Sequence, residues 1–389
     1  MDLKENNIVI TSNLFRPHFG GVENSLYHLS KAYLEMGYRP IIVVSNLPVN
    51  DEELFRVESL DGIKVFRYEM NKGGKWLGIQ WPKSLFGIIS AIQTYRWVKR
   101  NFQPQLTITR YHFNQVFAWL AGLKNTVYLV PGIVKFQNAA QHIDKNGLRA
   151  KLQWYYHRAL QFLALRGAGQ VAVFSQNMKN QLQDIGYDKP VILTKPGVDG
   201  DRFRATHYRS NEKVILCVGR CVRAKGFDFA IKSLSQCSTG VKLWIVGDGP
   251  LLEDYKRLAD ELGVSQNVVF WGAQSQPESF YKKADYFLMS SVYEPLGQTI
   301  LEGIASGLPV IAFRPSNDVI TATEDVLGKE GACYVESLSE HALGTVIDDC
   351  VTWSDERYAT VSKANRQLAE VRYSWTALAD DLLKSRTSC

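Results

Sequence analysis

The segment SSVYEPLGQTILEGIASGLPVIAF, residues 290–313, carries the most information about the fold. It follows an apolar run that ends near Met289, turns at Pro295–Gly297, and then repeats apolar residues at helical spacing. The next run, Pro309–Phe313, is short and apolar, which is typical of a buried parallel strand. A strand, a helix and a second strand in this order predict a βαβ unit. Because parallel sheets bind ligands at the carboxyl ends of their strands, the turn marks a candidate site.

Two carboxylates, Glu294 and Glu302, lie eight positions apart on either side of this turn. Eight helical residues would span about 12 Å, which is comparable to the separation of sugar and ribose in a nucleoside diphosphate sugar. The helix N-terminus between them offers unpaired backbone N–H groups and the positive end of a dipole, which suit a diphosphate. The alternative is a chance pair of surface acids, because this spacing also occurs in unrelated proteins.

A second segment, CVGRCVRAKGFDFAIKSL at residues 217–234, places cations in another loop between a strand and a helix. Its strand ends at Val218–Gly219, and Arg220 and Lys225 flank the loop, with Arg223 as a competing cation. A leaving diphosphate gains negative charge as its bond to a sugar breaks, and cations aimed at it lower that barrier. The alternative is a set of solvated loop cations.

Short apolar runs recur along the whole chain, with amphipathic stretches between several of them. They are Ile8–Ile10, Ile41–Val44, Leu106–Thr109, Thr126–Val130, Val171–Phe174 and Val191–Thr194, and then Val214–Val218, Val241–Val246, Val268–Trp271 and Tyr286–Met289. Two successive α/β sets predict an α/β fold of two Rossmann-like domains facing across a deep cleft. We expect an N-terminal domain at 1–200, a C-terminal domain at 201–370, and a last helix within 371–389.

Composition excludes several classes of protein. The 389 residues are 46% hydrophobic and 22% charged, which excludes a disordered, collagen-like or coiled-coil chain. The longest uncharged stretch has 13 residues, Tyr111–Leu123, fewer than the roughly 18 that span a bilayer. The opening residues have no basic region before an apolar core, so we expect no secretory signal. The six cysteines form no C-x-x-C pair, which favours a reduced cytoplasmic protein without a disulfide framework or zinc site.

Positive charge is concentrated in the first half of the chain. Residues 70–183 hold 15 Lys or Arg and a single acid, Asp144. Within them, the segment WLGIQWPKSLFGIISAIQTYRWVKR at 76–100 mixes tryptophan and aliphatic residues with flanking cations, as in segments that lie in a membrane interface. We therefore expect an anionic membrane surface as a partner, with these side chains inserted: Trp76, Leu77, Trp81, Leu85 and Phe86. The alternative is that these residues belong to the core and that the basic surface is simply solvated.

The segment 290–313 resembles the signature of retaining GT-B glycosyltransferases of family four, which is close to S-x-x-E-G-F-G-x-x-x-x-E-A-x-A-x-G-x-P-V. This chain has Pro295, Leu296 and Gly303 where Gly, Phe and Ala are usual, while both carboxylates and Gly297 remain. The resemblance implies sugar transfer from a nucleoside diphosphate sugar with retention of configuration, by front-face displacement. It also implies that the last helix, from about Trp375, returns to the N-terminal domain.

The resemblance assigns a role to each matching residue. The catalytic residues would be Glu294, which orients the sugar, and Arg220 and Lys225, which contact the diphosphate. Glu302 would hold the ribose hydroxyls. The other donor-binding residues would be Gly20, Gly21, Leu296, Gly297, Gln298 and Gly247.

Two of these glycine positions also have structural interpretations. Gly20-Gly21, in PHFGGVENSL, precedes a helix and can let backbone approach a phosphate closely, or can form a plain turn. Gly247 begins the run Gly-Asp-Gly-Pro after a strand, which matches the family and is equally compatible with a structural βα turn.

Members of the resembled family often carry a histidine after an N-domain strand, where it contacts the donor sugar. Pro131, in VYLVPGIV, stands at the matching place in this chain. His112, in TITRYHFNQ, follows an earlier strand and is a candidate contact for the acceptor or the sugar. The alternative is a structural histidine among aromatic neighbours.

We expect neither a metal ion nor another cofactor. Asp199-Gly200-Asp201 has the form of a D-x-D metal motif, but it lies in KPGVDGDRF, which resembles the family's interdomain stretch. Arg220 and Lys225 already supply the positive charge that a metal would bring.

The resulting hypothesis is a glycosyltransferase of surface polysaccharide assembly, such as lipopolysaccharide synthesis. Its partners would be a nucleotide-sugar donor, a glycan or polyprenyl-linked glycan acceptor and an anionic membrane surface, with no nucleic acid. It would be cytoplasmic and peripherally associated with the cytoplasmic face of the inner membrane. The alternatives are an enzyme of the same fold acting on a soluble glucan or phosphorylated small molecule, and a non-catalytic glycan- or nucleotide-sugar-binding protein.

Overall fold

The chain divides into two compact units, each with its own sheet. A computed structural model describes residues 6–18, 20–48, 54–70, 74–76, 79–81, 83–137, 148–204, 212–294 and 297–385. The first unit consists of Met1–Gly197 together with Trp375–Cys389, and the second is Val198–Ser374. Each unit is described below by itself.

The first unit is built on an eight-stranded sheet with the order β10-β9-β8-β7-β1-β2-β4-β3, in which only β3 runs antiparallel to its neighbour. Its strands are β1 (Asn7–Thr11), β2 (Arg39–Ser45), β3 (Val57–Leu60), β4 (Ile63–Tyr68), β5 (Gly74–Trp76), β6 (Ile79–Trp81), β7 (Leu106–Thr109), β8 (Thr126–Leu129), β9 (Gln170–Val173) and β10 (Val191–Leu193), of which β5 and β6 form a separate hairpin. Its helices before the second unit are α1 (Gly21–Glu35), α2 (Lys83–Phe102), α3 (His112–Leu120), α4 (Val134–Gln137), α5 (Leu148–Gly167) and α6 (Gln176–Asp184).

The central strands of this sheet are buried on both faces. In β1, Ile8, Val9 and Ile10 are fully buried, and β2 contributes a run of apolar residues to the same core. Because helices cover both faces of a parallel sheet, such strands carry continuous apolar runs instead of alternating ones. This explains why the short runs in the sequence predicted strands correctly.

The second unit contains a six-stranded parallel sheet with the order β13-β12-β11-β14-β16-β18. Its strands are β11 (Lys213–Val218), β12 (Val241–Val246), β13 (Val268–Gly272), β14 (Tyr286–Met289), β15 (Tyr293–Glu294), β16 (Val310–Phe313), β17 (Ile320–Thr321) and β18 (Cys333–Val335). Its helices are α7 (Phe227–Leu234), α8 (Leu252–Glu261), α9 (Glu278–Tyr281), α10 (Gln298–Ala305), α11 (Thr323–Leu327), α12 (Glu340–Val351) and α13 (Asp355–Arg372), with 3-10 turns at Arg223–Lys225 and Ser265–Asn267.

The last helix, α14 (Trp375–Lys384), belongs to the first unit. The Tyr33 hydroxyl donates to the Ala379 carbonyl over 3.1 Å, and the Thr194 hydroxyl donates to Asp381 over 3.1 Å. The Trp375 ring stacks on His28 with 5.5 Å between centroids and lies against Gly197, where a Cβ would come within 2.4 Å of the ring. Packing and hydrogen bonds therefore both attach α14 to the first unit.

Candidate functional site

Glu294 is positioned by backbone pairing just beyond the carboxyl end of β14. It lies in the short strand β15, which pairs in parallel with β17, and its carbonyl accepts the Ala322 N–H over 2.9 Å. Gly297 then turns the chain with a φ of +74° and precedes α10. Only Gln298–Ala305 is helical, so the 12 Å spacing estimated for eight helical residues between Glu294 and Glu302 does not apply. Pro295 and Leu296 lie outside the described residues.

Lys225 and Glu294 form an ion pair that joins the two predicted loops. The Lys225 ammonium contacts Glu294 Oε2, and the Gly297 N–H donates to Glu294 Oε1 over 3.3 Å. Both charged side chains are largely buried, with 17% and 15% exposure. Each carboxylate oxygen of Glu294 thus has its own donor, and the two donors together fix the orientation of the carboxylate.

Backbone hydrogen bonds hold the same two loops together. The Val292 N–H donates to the Ala224 carbonyl over 3.0 Å, and the Ser290 hydroxyl donates to the Lys225 carbonyl over 2.9 Å. Gly226, with a φ of +60°, lies so close to the Ser290 carbonyl oxygen that a Cβ would come within 2.2 Å of it. The position of Lys225 therefore depends on a backbone approach that glycine permits.

Arg220 differs from Lys225 in its surroundings. Its side chain is exposed, and no ion pair or side-chain hydrogen bond joins it to another residue in the described part of the chain. Arg223, the competing cation, is also exposed but takes part in other interactions. Arg220 is thus the loop cation whose donors remain available to an anion.

Glu302, in α10, has a separate hydrogen-bonding partner that the sequence did not reveal. The Tyr281 hydroxyl donates to Glu302 Oε2 over 2.8 Å, and Tyr281 is fully buried. Burial raises the pKa of Glu302 to about 7, against the opposing effects of this hydrogen bond and of the charges on Arg202 and Lys225. A carboxylate held at such a cost in free energy is typical of a functional site.

Gly247 has a structural explanation in the fold. Its φ is +147°, and a Cβ there would come within 1.8 Å of the Gly219 carbonyl oxygen. The Gly219 N–H also donates to the Val246 carbonyl over 3.0 Å. Glycine is therefore required where the loops after β11 and β12 touch, whether or not a ligand lies beside them.

The remaining predicted site residues, Gly20, Gly21 and His112, belong to the first unit. Gly20 precedes α1, and a Cβ on it would come within 2.3 Å of a Glu23 carboxylate oxygen. A Cβ on Gly21 would meet no atom within 4 Å. The helix N-terminus at these glycines is thus partly occupied by the carboxylate of Glu23.

His112 is paired with a second histidine. It is 5% exposed, and its Nε2 lies 2.9 Å from Nδ1 of His157 in α5. Burial and the neighbouring His157 lower the pKa of His112 to about 3. The imidazole is therefore uncharged at neutral pH. One of its ring nitrogens is a hydrogen-bond donor and the other an acceptor, and the ring supplies no positive charge to an anion.

Arg110 is a candidate that sequence reasoning missed. It is 1% exposed, and its Nε and one terminal nitrogen are buried without a hydrogen-bond partner among the described residues. Burial lowers its pKa to about 10, opposed by the charge of Glu23, so the guanidinium remains charged at neutral pH. The available signal was its place directly after a predicted strand, two residues before His112.

The described residues contain no group of three or more His, Cys, Asp or Glu side chains arranged to hold a metal ion. Asp199 accepts the Arg202 N–H over 3.0 Å, as in a turn. No helix among the described residues is long and apolar enough to cross a membrane. Of the predicted membrane residues, Leu85 and Phe86 are partly buried, while Leu77 and the side chains of Trp76 and Trp81 lie outside what the structure describes.

Two family models match consecutive parts of the chain. Glycosyltransferase Family 4 matches residues 19–202, and Glycosyl transferases group 1 matches residues 200–367. The junction of the two models lies close to the division between the two structural units at Gly197 and Val198.

Curated relatives are similar over part of their length. The lipopolysaccharide core biosynthesis glycosyltransferase LpsE of Rhizobium meliloti is 43% identical over 101 residues, 26% of this chain and 29% of that protein. The GDP-mannose-dependent alpha-(1-6)-phosphatidylinositol monomannoside mannosyltransferase of Mycolicibacterium smegmatis is 32% identical over 202 residues, 46% of this chain and 52% of that protein. The chain thus spans about half or less of the length of these relatives.

A solved structure resembles the whole chain. Anabaena HepE, in complex with UDP-glucose, has a TM-score of 0.74 and 17% sequence identity, covering 98% of this chain and 100% of that one. This likeness confirms the predicted α/β fold class with two Rossmann-like units.

Proposed function

Because the chain belongs to the group-one, family-four glycosyltransferases, we propose that it transfers a sugar from a nucleoside diphosphate sugar to a glycan acceptor, with retention of anomeric configuration. The observation that carries this proposal is the cluster of Lys225, Glu294 and Gly297 where the loops after β11 and β14 meet. In parallel sheets, this is the edge at which ligands bind.

The proposed donor site uses the charges of the second unit. An ammonium group has three N–H donors, so Lys225 can hold Glu294 with one and offer others to diphosphate oxygens. Arg220, exposed on the same loop, adds a second cation. As the glycosidic bond breaks and charge develops on the departing diphosphate, both cations stabilise the transition state more than the ground state.

Glu294 and Glu302 have different proposed roles because their surroundings differ. Glu294 is held by Lys225 and by the Gly297 N–H, and its carboxylate would orient the sugar near the reacting carbon. Glu302 is held by Tyr281 and would accept hydrogen bonds from the ribose hydroxyls. Backbone at Gly297 and Gln298 would contact the sugar and phosphates, with the helix dipole of α10 favouring negative charge.

We propose a lipid-linked glycan as the acceptor, in the assembly of a bacterial surface polysaccharide. Two similarities support this choice: a relative that acts in lipopolysaccharide core biosynthesis, and another named for transfer to a phosphatidylinositol mannoside. The basic character of residues 70–183, with 15 cations and one acid, suits an acceptor carrying phosphate or lying at an anionic membrane.

The proposal is tested by screening UDP-, GDP- and ADP-sugars for thermal stabilisation in the presence of EDTA. A donor at 100 times its dissociation constant stabilises the fold by about 2.7 kcal/mol. The best donor is then incubated with extracted lipid-linked glycans, and the anomeric configuration of the product is determined by NMR. Lys256→Ala, on the exposed face of α8, serves as a control with unchanged behaviour. Inversion of configuration, or stabilisation only with added divalent metal, would contradict the proposal.

Glu302→Gln is expected to weaken donor binding and, above pH 7, to raise the free energy of unfolding. Burial raises the pKa of Glu302 to about 7 from its usual 4.5, so the folded protein holds this proton more tightly than the unfolded chain does. Stability therefore falls as pH rises through this interval, by about 3 kcal/mol at most because the side chain keeps some solvent exposure. Glutamine cannot ionise, so the variant does not lose stability in this way as pH rises. It also lacks the carboxylate that would accept hydrogen bonds from the ribose hydroxyls.

Urea unfolding at pH 5 and pH 8, together with nucleotide affinity, checks this expectation. Glu261→Gln, at the exposed end of α8, is the matched control. If Glu302→Gln left nucleotide affinity unchanged, or if its effect on stability were the same at both pH values, the role given to Glu302 would be wrong.

A further inference from the structure

Helix α5 presents an apolar stripe to solvent. Its members are 40–61% exposed, which is high for large apolar side chains: Leu152, Tyr155, Tyr156, Phe162 and Leu163. We call these five residues the α5 outer stripe. Their spacing of three and four residues, or multiples of it, places them along one side of the helix.

The opposite side of α5 is the side that packs into the first unit. Ala164 and Leu165 are fully buried in its core, and Gln161 donates to the Gly132 carbonyl over 2.8 Å. His157, on the same side, contacts His112 of α3. The helix is thus apolar on two opposite sides, of which only one is covered by the described residues. A second apolar side without cover marks an interaction surface.

The end of α3 extends this surface. Trp119 and Leu120 are 48% and 46% exposed, and the Trp119 ring lies so near Gly167, at the end of α5, that a Cβ there would come within 2.8 Å of it. These two residues and the α5 outer stripe supply seven of the 14 large exposed hydrophobic residues of the described chain. The concentration in two adjacent helices separates this surface from scattered surface hydrophobics.

The charged residues of α5 are all positive. Lys151, Arg158 and Arg166 lie in α5, which has no acidic residue, and α3 has no Asp, Glu, Lys or Arg at all. The Arg166 guanidinium lies over the Phe162 ring at 4.4 Å from its centroid. A surface that complements this one must combine apolar material with negative charge. The interface of an anionic bilayer offers both, with hydrocarbon below and phosphates at the level of the cations.

We propose that the α5 outer stripe, with Trp119 and Leu120, docks the first unit onto an anionic lipid bilayer. The stripe enters the interface, and Lys151, Arg158 and Arg166 contact lipid phosphates. This assignment differs from the sequence-based one at 76–86, where Leu85 and Phe86 are partly buried. It rests on the proposed function in one respect, because a lipid-linked acceptor is what makes docking at the bilayer useful to the enzyme.

The test compares binding of the full chain to phosphatidylglycerol–phosphatidylcholine vesicles and to phosphatidylcholine vesicles over a salt series. Tyr155→Ser with Phe162→Ser is expected to lower partitioning onto anionic vesicles by about 100-fold, since each buried aromatic contributes about ten-fold. Trp271→Ser with Val371→Ser, at exposed positions of the second unit, is the matched control and should bind like the parent chain. Lys151→Gln with Arg158→Gln should reduce the preference for anionic vesicles and the sensitivity to salt.

Three results would overturn the inference: no binding by the parent chain, equal binding by the Tyr155/Phe162 variant, or equal binding of the parent to neutral and anionic vesicles. Sedimentation velocity is run on the same samples, because a parent dimer that the variant converts to monomer would make the stripe an interface between copies. Nucleotide-sugar affinity is measured without vesicles. If the parent chain binds the donor but not the vesicles, only the docking inference is overturned. If the parent chain binds the vesicles but no donor, only the proposed function is overturned.

Discussion

Lys225→Ala is expected to lower kcat by about 10²–10³-fold, while the affinity for the donor should fall much less. The ammonium is fixed by Glu294 in the resting structure, so it need not be reorganised when charge develops on the leaving diphosphate. An interaction that strengthens in the transition state affects kcat more than ground-state binding. Arg220→Ala is expected to have an effect of the same order, because its side chain is another cation on this loop.

A double-mutant cycle separates the two cations. Lys225 and Glu294 are in contact, so Lys225→Ala and Glu294→Ala should be coupled by about 0.5–3 kcal/mol. Arg220 forms no ion pair with any described residue, so its coupling to Glu294 in donor-binding measurements should be smaller. Arg223→Ala is the control from the same loop. A large loss of kcat in that variant, with normal turnover after Lys225→Ala, would move the catalytic role to Arg223.

Gly226→Ala is expected to destabilise the protein by about 2–4 kcal/mol and to abolish most activity. The residue has a φ of +60°, and a Cβ would come within 2.2 Å of the Ser290 carbonyl oxygen, which is backbone and cannot rotate away. Relief of this clash separates the loops after β11 and β14, and with them Lys225 and Glu294.

Gly263→Ala is a closely matched control. Gly263 has a φ of +68°, and a Cβ there would meet no atom within 4 Å. Both substitutions therefore introduce the same left-handed strain of about 1 kcal/mol, and only Gly226→Ala adds the clash. Urea unfolding and donor turnover of the two variants measure the difference. Similar losses of stability in both would show that the close approach at Ser290 has no energetic importance.

Much of the second-unit site could be predicted from local sequence. The strands before each loop are short apolar runs, and the helices after Gly226 and Gly297 have regular apolar spacing. Those elements place Arg220, Lys225 and Glu294 in the loops that follow strands, and Glu302 within the helix α10. The turn at Gly297 and the helix after it were predicted correctly, but the 12 Å estimate between the two carboxylates was wrong, because Glu294 lies in a strand before the turn.

Other features depend on residues far apart in the chain. Tyr281, which holds Glu302, lies 21 residues before it, and His157, which pairs with His112, lies 45 residues after it. Neither partner belongs to a local motif, so spacing gives no signal. The charge of Arg110 also gave no indication that the side chain would be almost completely buried, since arginine is usually exposed.

The sequence by itself determined the α/β class, most of the strands in the two sheets, and the residues that can carry charge at the strand ends, whereas β3, β4 and β18 were not predicted. These properties follow from periodicity and from backbone conformations that a few neighbouring residues control. Only the tertiary structure decided that Lys225 meets Glu294, 69 residues away, and that α5 leaves an apolar side in solvent. An apolar pattern indicates which sides of a helix can be buried, but which of them is covered depends on elements that the chain brings together from a distance.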